Sequence, residues 1–306
     1  VKNAPLSRGV NGACLLAILL LPASGHVAIA QGYPAKAIRV VVPYAPGGGS
    51  DVVSRILAQR MSESLGRQIV IDNRAGANGI IGTEIVAQAP ADGYTLLFAS
   101  SPHAVNPSMY RKLPFDTLKD FAPISEVGTT PLILVVHSSL PVRTVTELVA
   151  LAKARPGQID YASGGSGGSP HLATELFKTM AGINLTHVPY KGAGPALADV
   201  VAGQVPVMFS SSAPSLPHIR SGRLRALGIS SSQRSTVAPD IPTIAESGVA
   251  GYEAVVIFGL LAPAKTPRPI IELLNAQAHK AMRLPEVGES MKALGGDVVL
   301  TTPDGF

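Results

Sequence analysis

A chain of 306 residues with a formal net charge of +5, only 15% charged residues and no tryptophan has neither the basic stripe nor the stacking aromatics of a nucleic-acid binder. Its 31 glycines and 26 prolines fall at the ends of predicted elements, which argues against disorder. A single cysteine, Cys14, excludes a disulfide framework and a cysteine metal site.

Residues 1–30 are set apart from the fold. Lys2 and Arg8 supply a positive start, Ala13–Leu21 an apolar core and Ala28-Ile29-Ala30 a small-x-small cleavage site, the pattern of a secretory signal peptide cleaved near Ala30. A transmembrane anchor would need roughly 20 apolar residues, whereas this run is interrupted by Pro22, Ser24, Gly25 and His26. Cys14 does not sit at the cleavage point, as a lipoprotein cysteine would, so the expected mature chain carries no thiol. Val1 reads as an alternative start codon. Removing Lys2 and Arg8, with no acid in that segment, lowers the charge from +5 to +3. The remaining chain, about 275 residues, suits one large domain or two of ordinary size, with a mild preference for an anion.

From Ile38 onward strand and helix signals alternate. Ile38–Pro43 is a β-rich apolar run, and Val52, Val53, Ile56, Leu57, Met61 and Leu65 repeat at helical spacing. Ile69–Ile71 and Tyr94–Ala99 read as strands, with a helical stretch around Gly82–Ala89 between them. Leu132–Val136 is a further strand, followed by a helix around Thr146–Ala154. The pattern then restarts with a strand at Ile159–Ala162 and a helix through Leu172, Leu176, Phe177 and Met180. Strands at Leu185–Val188, Val205–Phe209 and Leu224–Leu227 continue it. Ala254–Leu261 and a helix near Pro269–Met282 close the series. Short continuous apolar strands separated by helices indicate an α/β fold with mostly parallel sheets, in two halves that each open with strand, glycine turn and helix.

The first turn is Ala45-Pro46-Gly47-Gly48-Gly49-Ser50-Asp51. Its glycines let backbone approach a ligand, Ser50 or Asp51 can cap the helix, and amides at the helix start can receive an anion. A nucleotide site is excluded by detail, since no P-loop Lys-Ser/Thr pair is present and Val52 stands where a dinucleotide fingerprint has its third glycine. An ordinary strand-to-helix turn fits this stretch equally well.

The second turn is Ser163-Gly164-Gly165-Ser166-Gly167-Gly168-Ser169-Pro170-His171, with Ser169 placed as N-cap and Pro170 at the first helical position. Gly164–Gly168 also fits the G-x-S-x-G nucleophile pattern, and Asp240 and His279 follow in a suitable order. A secreted serine hydrolase using Ser166 is therefore the enzymatic alternative. Against it, a nucleophile elbow starts its helix directly after the serine, and here a diglycine and a Ser-Pro cap intervene.

One helix end contributes only about 0.3–1 kcal/mol when exposed, or about 2 when partly buried, whereas micromolar affinity requires about 8 kcal/mol. Two facing turns, each making a few charge-assisted hydrogen bonds of roughly 1.5–3 kcal/mol, could reach that in a cleft that closes.

The stretch His187-Val188-Pro189-Tyr190-Lys191-Gly192-Ala193-Gly194-Pro195, continuing through Ala196–Val205, resembles the solute receptors of tripartite tricarboxylate transporters, the Bug or TctC family. Val42–Asp51, Asn73–Gly79, Asp240–Gly248 and Ala262–Pro267 match in the same order, so the resemblance covers essentially the whole mature chain. It implies a two-lobed, Venus-flytrap fold of the periplasmic-binding type II class. Lobe 1 would comprise 33–128 and 253–306, and lobe 2 would comprise 129–252. It also implies a periplasmic receptor that binds a di- or tricarboxylate, an acidic amino acid or an aromatic acid without cofactor or catalysis. The expected partners are that ligand and inner-membrane transporter subunits, with the receptor itself a monomer.

Carried over residue by residue, the resemblance nominates Tyr44, Pro46, Gly47, Gly48, Gly49, Ser50 and Asp51 from the first turn. Ser163, Gly164, Ser166, Gly168, Ser169 and His171 come from the second, often acting with bridging waters. Asn78, Gly79, Ser100, Tyr190, Lys191 and Asp199 surround the cleft. Asp199 is expected to tune the distal group of the ligand or to cap a helix, Lys191 to face the anion or solvent, and Tyr44 and Phe209 to shape the wall or belong to the core. The family usually carries one more terminal helix, which the stop at Phe306 would truncate. Turn side chains vary with ligand, and some such receptors have no dedicated transporter, which leaves a ligand sensor as a third reading. The seven histidines show no paired spacing, so no metal site is expected. Arg220, Arg223 and Arg225 read as a solvated edge.

Overall fold

The apolar run at Ile38–Val42 forms β1, buried along almost its whole length because parallel strands flank it on both sides. The computed structural model describes residues 32–236 and 238–306, and the expected signal peptide lies outside them. β2 (Ile69–Asn73) and β3 (Thr95–Ser100) run parallel to β1. Helix α1 (Gly49–Leu65) connects β1 to β2 and stops at Gly66, whose left-handed φ of 63° closes it. A single 3-10 turn at Ala77–Gly79 and helix α2 (Ile80–Ala87) lead to β3, and α3 (Pro102–Met109) leaves it.

β4 (Phe121–His137) is long enough to belong to two ladders. Its first part, Phe121–Pro131, pairs antiparallel with β9 (Val255–Pro263), and β9 pairs antiparallel with β3. From Leu132 onward its partners are β7 (Val207–Ser211) and β8 (Leu224–Ile229), again antiparallel. β7 then continues in parallel to β5 (Asp160–Ser163), and β5 to β6 (Thr186–Pro189). Parallel strands thus make the outer part of each half, and antiparallel strands carry the chain between halves. Prolines at 123 and 131, which donate nothing to a ladder, coincide with register shifts and the change of partner on β4.

Ser230 ties the two crossings together. Its hydroxyl accepts from the Leu132 amide at 2.7 Å and donates to the Ala254 carbonyl at 2.6 Å. Its backbone joins the same two residues at 2.8 Å each. It is wholly buried.

Helices α4 (Val145–Ala154), α5 (Ser169–Ala181), α6 (Ala193–Val201) and α7 (Ser212–Arg220) cover the second half. α8 (Arg268–Met282) lies against α1 and β4, and α9 (Pro285–Ala293) follows. Each half has its own apolar centre. One gathers Val41, Val86, Leu97 and Phe121, the other Ile133, Val135, Val200 and Met208. After α9 the chain returns to β4, where Asp297 bridges Thr129.

The strands read from the sequence all occur. Four helices were not read: α3 and α7, which carry internal prolines, together with α6 and α9. The first part of β4 was not read either, because Pro123, Ser125, Glu126, Gly128 and Thr129 give it no apolar run.

Candidate functional site at two facing glycine turns

Each parallel strand set sends its chain out at its C-terminal edge. β1, β3, β5, β6 and β7 all run directly into turns that open a helix. Crevices outside such edges are where open α/β sheets receive ligands.

In the first turn Gly47 adopts φ 81° and Gly48 enters α1 in extended conformation, with no side chain capping the helix start. The α1 amides are thus not engaged by a side-chain cap. Asp51 lies beneath the turn and is buried. Its carboxylate accepts from the Gly47 amide at 2.9 Å, from Asn73 Nδ2 at 3.0 Å and from Arg55 at 2.9–3.1 Å. Burial opposes its ionisation, but the hydrogen bonds from Arg55, Gly47 and Asn73 outweigh that and hold the carboxyl below its ordinary value. With its oxygens so occupied, Asp51 braces the turn from below. Asn73 adds a bond to the Tyr44 carbonyl at 3.1 Å.

Ala77, Asn78 and Gly79 are consecutive left-handed residues, at φ 46°, 53° and 88°. Asparagine tolerates that region and alanine does so at a cost. What holds them is a reciprocal amide pair. Asn78 Nδ2 donates to Asn106 Oδ1 at 2.8 Å, and Asn106 Nδ2 donates to the Asn78 carbonyl at 3.3 Å. Asn106 is buried on α3. A side chain at Gly79 would sit 3.4 Å from the Tyr44 hydroxyl, which burial pushes above the ordinary tyrosine range. Ser100 is buried at the end of β3.

The second turn is held from inside. Ser163, wholly buried, accepts from the Gly165 amide at 3.2 Å, donates to its carbonyl at 3.1 Å and meets His187 Nε2 at 2.7 Å. The Gly167 amide donates to His171 Nδ1 at 3.2 Å. Gly168 opens α5 in extended conformation, without a side-chain cap. Gly164 lies so close to the start of α6 that a Cβ would fall 2.8 Å from the Ala193 amide. At that end Tyr190 donates to Asp199 Oδ2 at 2.7 Å, which raises the tyrosine above its usual value, and Lys191 is exposed.

The two turns meet through Asn78. A Cβ on Gly167 would lie 2.5 Å from Asn78 Nδ2 and 3.0 Å from Met109 Sδ. Asn78 in turn adjoins Gly79, and Gly79 adjoins Tyr44 at the head of the first turn. Asn106 and Met109 were not read from the sequence, and Asn73 and His187 lay in stretches that match the family without being given a role.

Several expectations are displaced by this geometry. Neither helix start has the cap expected of it: no side chain of Ser50 or Asp51 caps α1, and Gly168, not Ser169, is the N-cap of α5. Phe209 is wholly buried against Phe177 and Tyr252, with ring centroids 6.0 Å apart in each case, and so belongs to the core of the second half. Asp51 points beneath its turn, as described. The Ser166 hydrolase reading loses its base, because His279 Nε2 is spent on Ser125 Oγ at 3.2 Å and the Thr301 carbonyl at 2.9 Å, while Ser166 and Asp240 are exposed. Arg225 is tied to the carbonyls of Leu140 and Val142. Elsewhere, an apolar void of about 10 Å³ under α1, lined by Val40, Leu57, Met61 and Phe98, is core space. Among the described residues no His, Cys, Asp and Glu group is placed to hold a metal, and no helix is long and apolar enough to cross a membrane.

A family model described as a tripartite tricarboxylate transporter family receptor matches residues 53–304. Protein BugT of Bordetella pertussis is 44% identical over 277 residues, covering 90% of this chain and 85% of that protein. Among solved structures, Rpa4515 of R. palustris with adipate has a TM-score of 0.83 at 36% identity, covering 89% of this chain and 91% of that one. MatC (Rpa3494) from Rhodopseudomonas palustris with bound malate has a TM-score of 0.80 at 32% identity, covering 87% and 91%.

Proposed function

The chain belongs to the tripartite tricarboxylate transporter receptor family, whose members are solute-binding receptors and not enzymes, and from that premise we propose that it captures a small carboxylate between its two glycine turns and delivers it to a membrane transporter. Its fold is that of the two-lobed periplasmic-binding proteins it resembles. The contact of Gly167 with Asn78 carries the proposal, because it brings the second turn against the segment that adjoins the first. Amides of Gly48–Ser50 would take one end of the anion and the Ser169 amide at the start of α5 the other, while the Gly168 amide is held by the Gly165 carbonyl at 3.3 Å. Ser100, Ser166, Tyr190 and Asp199 would line the space between.

Two relatives are described with adipate and with malate, both dicarboxylates, and a dicarboxylate matches two opposed donor sets better than a monoacid does. The lobe division at 128/129 and 252/253 is part of this reading. It is supported by the change of partners on β4 after Pro131 and by the Ser230 tie to Leu132 and Ala254. Residence in the periplasm belongs to it too, supported by the family and by the leader pattern of residues 1–30.

The test is titration calorimetry of the purified protein against malate, adipate, citrate, glutamate and benzoate, with native mass spectrometry of any co-purified acid. Affinity near micromolar, about 8 kcal/mol, for at least one acid is expected. Binding of a neutral solute in preference to every acid would overturn the proposal.

A further inference from the structure

Against the second turn packs a group of titratable side chains that the proposed anion capture does not use. His171 opens α5 and His187 sits on β6, with ring centroids 4.3 Å apart. Tyr161 of β5 stacks on His187 at 4.8 Å, and its hydroxyl donates to Glu175 at 2.5 Å. Lys178 pairs with the same carboxylate at 2.7 Å. The charges acting on both imidazoles are therefore Glu175 and Lys178, with His171 acting on His187 as well.

Each imidazole also grips the turn itself. His187 Nε2 meets Ser163 Oγ, which bridges both polar groups of Gly165. His171 Nδ1 accepts from the Gly167 amide. That last bond requires an unprotonated Nδ1, so it exists only while the ring is neutral and carries its proton on Nε2.

Resting on the carboxylate-receptor reading, we propose that His171 and His187 are positioning residues that hold the second glycine turn in its receiving shape only while His171 is uncharged, so that acidification loosens the turn and releases the anion. Protonating His171 places a second N–H against the Gly167 amide, donor facing donor. A proton on His187 leaves its bond to Ser163 intact, since Nε2 can donate, but sets a positive charge beside His171. Burial holds both imidazoles below the ordinary histidine value; Glu175 opposes this at both, and Lys178 adds to it. The turn is thus gripped at neutral pH and released on the acid side of the ordinary histidine range.

The opposite sign is equally definite. A cation that did not disturb the turn would attract the ligand and strengthen its capture in acid.

The experiment has two arms. Affinity for malate and adipate is measured at about pH 7.5 and about pH 5 for the native protein and for His171→Asn with His187→Gln. The asparagine offers an uncharged acceptor near the Nδ1 position, and the glutamine a donor near Nε2. Protonation of the ligand is common to both proteins and cancels in the comparison. The native protein is expected to lose roughly tenfold more affinity than the variant between the two pH values, a factor equivalent to about 1.4 kcal/mol. Equal pH dependence, or tighter binding by the native protein in acid, overturns the proposal.

The second arm needs no ligand. Nitrogen-15 spectra of the native protein should show the Gly167 amide titrating together with the His171 ring. A Gly167 signal that ignores the imidazole overturns the inference by itself. If neither acid binds at any pH while Gly167 and His171 still titrate together, the grip on the turn stands and the carboxylate reading is what fails.

Discussion

Gly167 and Asn78 touch across the two halves of the molecule, and the contact leaves no room for a side chain on the glycine. A Cβ there would come within 2.5 Å of the Asn78 amide nitrogen, which is itself fixed by Asn106. The backbone is also left-handed, at φ 82°, which costs a non-glycine residue roughly 1–2 kcal/mol. Gly167→Ala is expected to weaken malate or adipate capture at least tenfold, about 1.4 kcal/mol, by holding the halves apart. Small-angle scattering should show a more open molecule. An unchanged scattering profile with unchanged affinity would contradict this reading of the contact.

Gly48 and Gly168 are a different case. Both lie at negative φ, −79° and −67°, and the nearest backbone atom to an added Cβ is 3.7 Å and 3.4 Å away, respectively. Valine suits extended backbone, so Gly48→Val and Gly168→Val should keep their melting temperatures within a few degrees. Any loss of carboxylate affinity then comes from occupied ligand space. Calorimetry showing native affinity in both variants would remove the two helix starts from the site.

Removing the Asp51 carboxylate takes the side-chain acceptor from the Gly47 amide and the counter-charge from Arg55, and leaves Asn73 Nδ2 only its bond to the Tyr44 carbonyl. Hydrogen bonds to a charged group contribute roughly 1.5–3 kcal/mol. Asp51→Ala should therefore lower stability by that order and weaken the ligand through a slackened turn, though the side chain need never meet the ligand. Chemical denaturation reads the first effect and calorimetry the second. A variant with native stability would show that the brace is dispensable.

Ser230→Ala removes a hydroxyl that serves both crossings between halves. The Leu132 amide and the Ala254 carbonyl lose a partner each, so a loss of about 1–3 kcal/mol is expected. Hydrogen exchange at the Leu132 and Ile133 amides should quicken as well. Protection there equal to the native protein would mean that the ladders alone hold the crossing.

His103 supplies an acid-stability prediction. Burial beside Phe115 and Phe121 lowers its pKa from 6.5 to about 4. The folded value lies below the unfolded one, so the unfolded chain takes up the proton first as pH falls. The resulting loss begins near pH 6.5 and is complete near pH 4, reaching about 3 kcal/mol. His103→Phe should flatten unfolding free energy across that window. An equal acid slope in the variant would assign the loss to other groups.

Much of this arrangement can be read from the chain because it is local. Ile38–Val42 followed by Pro46–Asp51, and Asp160–Ser163 followed by Gly164–Ser169, carry their own punctuation. An apolar run ends in glycines, and a helix begins. The Asn78–Asn106 pair has no such signature, since it joins residues 28 positions apart through a proline-bearing helix that periodicity does not reveal. Asp51 was carried into the site with the rest of its turn by resemblance, and the Arg55 and Asn73 side chains that turn its carboxylate away from a ligand lie 4 and 22 positions further along the chain. Phe209 was left between wall and core because an apolar strand does not announce that both its faces are covered.

The placement of β9 has a consequence for how the chain is made. This last strand lies between β3 and β4, so a polypeptide emerging from its N-terminus presents two bare ladder edges until residue 263 has followed. Such edges invite pairing with other chains. The vulnerable interval for this chain is therefore its folding before β9 docks, and anything that shields those edges until then protects the yield of folded protein.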